Sequence, residues 1–311
     1  MQLVDITDRV IPILFKRLKD LLRTVMEKRM QWIRWFLGLY CCLAAVTPAL
    51  AQEDADSAAV AASSGLPSAA GSLSPGWRNQ FGLGVIANPK FVGSGDYNQR
   101  LIPYFDFRYF DEKGAKFFAN VPQGVGGYLY RGRSPESGRF LNIGASLAPG
   151  FNIRDDSIEG LDEVGLSTEA RFILEAGGRR WAASLTAAQD VGSGHEGAYI
   201  DLSVAYRGRL RQAGGFYAVG PVLRLGDSTY KDALFGVMPE AAVATGLPDY
   251  RADSGVERAG MQGLLSLPIR SSAWRFTTVF RASQLLDNAA DSPIVVDETQ
   301  FFFIAAVTRS F

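Results

Sequence analysis

The sequence predicts an all-β fold: a transmembrane, antiparallel, up-and-down β-barrel of about twelve strands, closed by the C-terminal strand that ends at Phe311. Three observations predict this fold. Apolar residues alternate with small or polar residues in about twelve segments, which is the pattern of strands with two different faces. Short and long connections follow one another, and the last segment ends on an aromatic residue. A soluble β-sandwich, the main alternative, also contains short alternating strands, but it requires neither of the last two features.

The residues before the predicted barrel divide into three parts. Residues 1–29 are interpreted as an extension upstream of a true start at Met30, although their apolar spacing also suits an amphipathic helix. Residues 30–51 are predicted to be a signal peptide cleaved after Ala51, because basic residues precede an apolar core of about 12 residues and a small–x–small site. Residues 52–76, rich in Ala, Ser and Gly, are predicted to form a flexible periplasmic leader.

Cysteine content and charge exclude several classes of function. Cys41 and Cys42 lie inside the predicted signal peptide, so the mature chain contains no cysteine and has neither a disulfide framework nor a thiolate metal site. The whole chain has 32 basic and 32 acidic residues. No dense basic patch is present, which argues against nucleic acid as a partner. No segment of the mature chain reaches the roughly 18 apolar residues of a transmembrane helix.

The barrel itself is predicted to occupy residues 77–311. In its first strand, Trp77, Phe81 and Val85 share one face, and small or polar residues occupy the other. Many of the segments are close to the roughly 9–11 residues that a tilted membrane strand needs. The predicted strands are 77–85, 101–110, 115–121, 125–130, 140–148, 166–176, 181–189, 198–207, 216–225, 256–267, 274–283 and 299–311.

The connections predict the orientation of the barrel in the outer membrane of a Gram-negative type envelope. An even number of strands places both termini on one side, and the leader makes that side periplasmic. The connections predicted there are short, whereas three connections on the other side are long, as in outer-membrane barrels. The short turns are 111–114, 132–138, 177–180, 208–214 and 269–272; the long loops are 151–164, 226–255 and 285–298.

Charge differs between the two predicted ends. The long loops are acidic and would concentrate cations at the outer face, whereas arginines near the short turns would meet anionic partners. The alternative is that these connections are charged only because they are solvated. The arginines proposed as periplasmic contacts are Arg133, Arg179, Arg180 and Arg211.

The last strand carries the predicted signal for barrel closure. Phe303, Val307 and Phe311 fall on one of its faces, and we expect the barrel-assembly machinery to recognise them. The assembled barrel is expected to contact outer-membrane lipid. Arg309 is unusual, because closing strands more often carry an aromatic residue two positions before the terminal Phe.

The residues that could carry chemistry give little support for an enzyme. His195 is the only histidine, and with Ser193 and Glu196 beside it a Ser–His–acid hydrolase is one interpretation. Neighbours in one loop rarely reach triad geometry, so a polar hairpin loop is preferred. One histidine also argues against a His-based metal site, and no cofactor is predicted. The acidic pairs at 155–156 and 162–163 could hold Ca²⁺ through oxygen ligands or could simply be solvated.

Two of the long loops contain apolar residues within otherwise acidic sequence. Phe235, Gly236 and Val237 lie in one of them, and Ser292 and Pro293 lie in the other. Exposed apolar groups are normally covered. We therefore expect these loops to fold inward or onto each other at the outer mouth and to narrow the lumen. A purely structural loop cap is the alternative.

Six short sequence motifs follow one another along the predicted barrel. They are Gly82-Leu83-Gly84, Gly93-Ser94-Gly95-Asp96-Tyr97, Ile102-Pro103-Tyr104, Phe235-Gly236-Val237, Ala244-Thr245-Gly246-Leu247-Pro248-Asp249-Tyr250 and Ser292-Pro293-Ile294-Val295. In order and spacing, these pieces resemble the MipA/OmpV family of outer-membrane proteins, called MltA-interacting proteins.

The resemblance implies a non-enzymatic scaffold in the outer membrane. It implies that the protein brings a murein hydrolase, a lytic transglycosylase, together with a murein synthase, a penicillin-binding protein, during cell-wall growth. Other members of the family are osmotically responsive surface antigens or adhesins. The residues alone leave open a small pore for cationic solutes, drawn by the acidic outer loops.

Overall fold

The computed structural model describes residues 75–120, 123–134, 136–150, 160–161, 164–165, 167–210, 213–269 and 273–311. The predicted start-site extension, the signal peptide and nearly all of the predicted leader lie outside the described residues. Arg211 and both acidic pairs of the first long loop also lie outside them.

The described part of the chain forms a closed barrel of twelve antiparallel strands, in which each strand pairs with its sequence neighbours and β12 pairs with β1. The predicted fold class is confirmed, and each predicted segment overlaps an observed strand. The strands are β1 (Gly76–Pro89), β2 (Tyr97–Asp111), β3 (Gly114–Asn120), β4 (Gly124–Arg133), β5 (Phe140–Gly150), β6 (Ser167–Gly177), β7 (Trp181–Asp190), β8 (Ala198–Leu210), β9 (Gly215–Gly226), β10 (Gly255–Pro268), β11 (Trp274–Leu285) and β12 (Thr299–Ser310).

The two faces of the strands differ in the way a membrane barrel requires. On β1, Trp77, Phe81 and Leu83 are exposed on the outer face, whereas Gln80 is buried on the inner face. Large apolar side chains are exposed on ten of the twelve strands, and Leu129 is 86% exposed. A water-soluble protein would cover so much apolar surface, but a barrel in lipid presents it to hydrocarbon.

The barrel has two unlike ends, which we call the turn end and the loop end. The turn end carries five short connections, the start of β1 and the end of β12, whereas the loop end carries the long connections. The connection between β9 and β10 contains α1 (Ser228–Phe235) and α2 (Pro239–Thr245), and the connection between β11 and β12 contains α3 (Asp287–Ala290). No helix among the described residues is both long and apolar enough to cross a bilayer.

Tryptophan marks a membrane boundary at the turn end. Trp77, Trp181 and Trp274 each stand at the start of an odd-numbered strand and are exposed on its outer face. Trp77 packs edge-on against Tyr109, with 5.4 Å between ring centroids, and Trp181 packs similarly on Tyr206 at 4.9 Å. Such rings concentrate at the lipid–water interface because they are amphipathic. These five residues form an aromatic girdle at one level of the barrel.

The seam between β12 and β1 closes the barrel. Val307 pairs with Leu83 across the seam, and the main-chain N–H of Phe311 donates to the carbonyl oxygen of Asn79 at 2.9 Å. The Phe311 ring packs edge-on against Phe81, with 5.9 Å between centroids. The three residues of the predicted closing signal share the outer face of this strand: Phe303, Val307 and Phe311.

A glycine allows the seam strands to approach each other. A Cβ atom at Gly82 would lie 2.0 Å from the carbonyl oxygen of Val307 and 2.8 Å from the Cα atom of Thr308. Because these neighbours are main-chain atoms, we expect Gly82→Ala to prevent full closure and to abolish the compact, faster-migrating form in unheated gel electrophoresis. Gly178→Ala is the matched control, because a Cβ atom there meets nothing within 4 Å. If both variants migrate as the wild type does, the seam tolerates a side chain and the expectation is wrong.

Candidate functional site

The apolar residues of the two long loops come together at the loop end. Phe235 and Val237 are fully buried, and Ser292 is nearly so. The Ser292 hydroxyl donates to the main-chain oxygen of Phe235 at 2.6 Å, which ties one loop to the other. Gly236 lies between the two buried residues, and Pro293 is half-buried beside Ser292. The structure therefore brings the five loop residues singled out in the sequence into one region.

Helix α1 and the residues around it sit against the inner wall of the barrel, and we call residues 227–238 the mouth plug. Tyr230 and Phe235 of the plug are fully buried. They belong to one apolar cluster with Tyr199 of β8 and Ala289 of α3. The plug is thus packed between the inner wall and the neighbouring loop.

The local sequence explains why α1 forms at this place. Asp227 caps the helix, because one carboxylate oxygen accepts the main-chain N–H of Tyr230 at 2.7 Å. The other oxygen accepts the N–H of Ala198 in β8 at 2.9 Å, so the cap also fixes the plug to the wall. The N–H of Gly236 donates to the carbonyl oxygen of Asp232 at 2.8 Å and ends the helix. A Cβ atom at Gly236 would lie 2.4 Å from that oxygen, which favours glycine there.

An arginine on the inner wall connects the wall to the plug. Arg224 of β9 forms a two-pronged ion pair with Asp201 of β8, and both N···O distances are 2.6 Å. The third nitrogen of the guanidinium donates to the Tyr230 hydroxyl at 3.0 Å. The guanidinium carbon also lies 4.0 Å from the centroid of the Tyr199 ring. Two-pronged Arg–carboxylate pairs are strong and directional, so Arg224 holds Tyr230 in a defined position.

The single histidine belongs to this network and forms no triad with its neighbours. His195 is buried, whereas Ser193 and Glu196 are exposed, and no hydrogen bond joins these side chains within the described residues. Nδ1 of His195 accepts the main-chain N–H of Gly197 at 3.2 Å, which leaves the proton on Nε2, 3.5 Å from a carboxylate oxygen of Glu169. The described residues contain no group of three His, Cys, Asp or Glu side chains that could hold a metal ion.

Glu169 of β6 joins several of these groups. Its carboxylate accepts the Tyr199 hydroxyl at 2.8 Å and pairs with Arg171 at 2.7 Å. The His195 ring packs edge-on against Tyr230 at 4.8 Å, so the network reaches the plug. A signal for these charged residues was present in the sequence, because a charged residue near the middle of a transmembrane strand is costly on the lipid side and is expected to face the lumen. The residues that sequence reasoning missed are Glu169, Arg171, Asp201 and Arg224.

Burial alters the acid–base behaviour of the plug. It raises the pKa of Tyr230 well above its usual value, so the hydroxyl remains protonated. It lowers the pKa of Lys231, and nearby carboxylates, led by that of Glu257, partly offset this effect. The Lys231 ammonium donates to the carbonyl oxygen of Val256 at 3.0 Å. Both side chains therefore attach the plug through hydrogen bonds that are shielded from solvent.

Among the described residues, the inner wall carries more arginines than carboxylates. One of these arginines, Arg108, is fully buried: it pairs with Asp106 at 2.8 Å and donates to the side chain of Gln123, also at 2.8 Å. An excess of positive charge along a lumen favours anions over cations. This finding argues against passage of cationic solutes. The inward-facing arginines include Arg78, Arg108, Arg171, Arg207, Arg224, Arg258, Arg275 and Arg281, and the inward-facing carboxylates include Asp106, Glu169, Glu175, Asp201 and Glu257.

Exposed basic residues are concentrated at the turn end. Arg179 and Arg180 are exposed between β6 and β7, and Arg179 donates to the main-chain oxygen of Glu136 in a neighbouring turn at 3.1 Å. Arg133 differs from them, because it is only half-exposed and lies close to the inner-wall residue Arg207. Two of the predicted contact residues thus lie on an exposed basic surface, and Arg133 is partly withdrawn from it. Other exposed charged residues here include Lys113, Arg139 and Arg209, with Glu112 and Glu136.

Comparison with known proteins gives a family match. A family model described as MltA-interacting protein MipA matches residues 81–311. This range contains almost the whole barrel, including the mouth plug, the charged inner wall and the closing strand. No curated protein matches the chain.

Proposed function

Because the chain belongs to the MipA family of MltA-interacting proteins, we propose that this outer-membrane barrel is a scaffold that brings a lytic transglycosylase and a murein synthase together during cell-wall growth. The family match carries the proposal, since it spans nearly the whole barrel. The buried plug agrees with it, because a barrel that serves only free diffusion does not need a helix packed into its mouth. The proposal assigns no catalytic group to this chain.

The proposed arrangement places the turn end in the periplasm. The signal peptide is cleaved after Ala51, the barrel-assembly machinery recognises β12, and the leader of residues 52–76 joins the chain to the start of β1 at the turn end. Murein and its enzymes occupy the periplasm, so the turn end and the leader are the parts of the chain that can meet them. The loop end then faces the outside of the cell.

The exposed arginines of the turn end are the proposed contact surface. Each turn is short, so the surface has to combine several turns, and Arg179 already connects two of them through its bond to Glu136. Arg180 lies beside it, and both side chains are solvent-exposed. Attraction between exposed charges is screened by salt, so partner retention should decrease as the salt concentration rises.

Charge reversal at the turn end tests this proposal. We expect Arg179→Glu/Arg180→Glu to lose most of the lytic transglycosylase that co-purifies with the wild type from crosslinked envelopes, because attraction becomes repulsion. Arg251→Glu is the matched control, since it reverses an exposed arginine at the loop end. Undiminished recovery with the turn-end variant would exclude these arginines as the contact. Absence of the transglycosylase from the wild-type sample would remove the main support for a scaffold.

A small pore is a second candidate function, favoured by the charge of the inner wall. About twelve strands enclose more space than a packed eight-strand barrel, so a channel can exist when the plug is displaced. The inward-facing arginines would make such a channel select anions. The acidic loops suggested cationic solutes, whereas the inward-facing arginines favour anions.

A further inference from the structure

Arg309 is a charged residue on the outer face of the barrel. It is exposed on β12 at the level of the aromatic girdle, and its register partners are Phe81 of β1 and Trp274 of β11. Its guanidinium carbon lies 5.9 Å from the ring centroid of Trp274 and 5.1 Å from that of Phe311. Both distances are within the range of cation–π contacts. The charge is therefore held among aromatic rings on the lipid-facing surface.

Among the residues that the structure describes, no acidic side chain neutralises this charge. Within the residues that the structure describes, the Arg309 side chain makes neither an ion pair nor a hydrogen bond. An arginine on the lipid-facing side is costly near the middle of the bilayer and is tolerated near the interface. At this level of the bilayer, lipid headgroups and water can supply acceptors for its N–H groups.

The outer face of β12 provides space for an acyl chain beside this charge. Toward the centre of the bilayer, the next outward residues after Arg309 are Val307 and Ala305. Val307 stands between Leu83 and Phe276, which are larger residues on the two flanking strands. The side chains of β12 thus form the floor of a shallow groove. From Arg309 to Ala305 the groove is about 13 Å long, at roughly 3.3 Å per residue.

We propose that Arg309, Trp274 and Phe311 bind the phosphate group of a phospholipid in the leaflet next to the turn end, with one acyl chain in the groove along β12. The guanidinium makes a two-pronged contact to the phosphate oxygens, as its planar fork allows. The rings of Trp274 and Phe311 orient the guanidinium and shield it from water. The ligand is a membrane lipid and not soluble phosphate, because the site opens onto the lipid-facing surface.

Native mass spectrometry of the full chain in detergent, titrated with phosphatidylglycerol, tests this proposal. We expect one lipid molecule to bind more tightly than the others. We expect Arg309→Gln to weaken this binding about fivefold, which is the effect of one basic residue near an anionic lipid surface. Diacylglycerol with the same acyl chains, which lacks phosphate, should not compete for the site. Inorganic phosphate, which lacks the acyl chains, should not compete either.

Arg251→Gln is the control, because it removes an exposed arginine at the loop end, away from Trp274 and Phe311. It should bind phosphatidylglycerol as the wild type does, and Arg309→Lys should keep part of the affinity because it keeps the charge. Unchanged binding by Arg309→Gln would overturn the proposal. If the wild type binds diacylglycerol as tightly as phosphatidylglycerol, the proposal is also overturned. This comparison needs only the wild type, so it holds even if the variant does not fold.

Discussion

Replacement of residues 228–238 by a short Gly–Ser linker is expected to convert a barrel of low conductance into an open channel. The segment contains Tyr230 and Phe235, both fully buried in the mouth. Its removal takes away the apolar cluster at the loop end and the hydrogen bond from Arg224 to Tyr230. Water and ions can then reach an inner wall that is charged and readily hydrated. Single-channel recording in planar bilayers measures the change.

Helix α2 provides a matched control for this deletion. It follows α1 in the same loop and has 7 residues where α1 has 8, yet none of its residues is buried. Deleting Pro239–Thr245 should therefore leave the conductance at the wild-type level. If both deletions raise the conductance equally, or if neither does, α1 does not seal the mouth.

The ion selectivity of the opened channel gives a second and independent result. We expect it to prefer anions, because inward-facing arginines outnumber inward-facing carboxylates. The reversal potential under a KCl gradient reports this preference by its sign. A cation-selective channel would mean that the acidic loops, and not the inner wall, control permeation.

The barrel could be predicted from the sequence because every second residue of each strand must face lipid, which gives a repeating apolar pattern. From Trp77 to Val85, large apolar residues occupy every outward position except Asn79, and a shift of register by one residue would turn them all into the lumen. The helices α1 and α2 carry no such repeating signal. They are short, and their signals are local ones, such as the Asp227 cap and the proline at the start of α2. A search for alternation does not detect them.

The candidate site could be predicted only in part, because its contacts depend on closure of the barrel. The loop residues Phe235 and Ser292 stood out as apolar or motif residues in acidic surroundings, but they are 57 positions apart and meet only at the mouth. Glu169 of β6 and His195 of the β7–β8 connection are separated by 26 positions. Arg133 shows that a place beside a turn in the sequence does not by itself predict an exposed side chain. Its place beside a turn resembles that of Arg179, yet it lies near the inner-wall residue Arg207.

Replacement of Arg108 by methionine is expected to destabilise the barrel by about 3–5 kcal/mol, the usual cost of removing one partner of a buried ion pair. The side chains of Arg108 and Asp106 are at most 1% exposed and lie 2.8 Å apart. Methionine fills a similar volume, so the main loss is electrostatic: the Asp106 carboxylate stays buried without its partner. Urea unfolding in lipid vesicles, followed by tryptophan fluorescence, measures the free energy of unfolding.

The double variant Asp106→Asn/Arg108→Met separates charge from packing in this prediction. Neutralising both partners removes the uncompensated carboxylate, so we expect the double variant to regain most of the stability that the single variant loses. Arg251→Met, at an exposed loop arginine, should leave the free energy of unfolding unchanged. If the single and double variants are equally unstable, the loss arises from the guanidinium's contacts with Gln123 and the Phe118 ring rather than from an unpaired charge. In that case the inner wall is held together by shape and hydrogen bonding more than by its ion pairs.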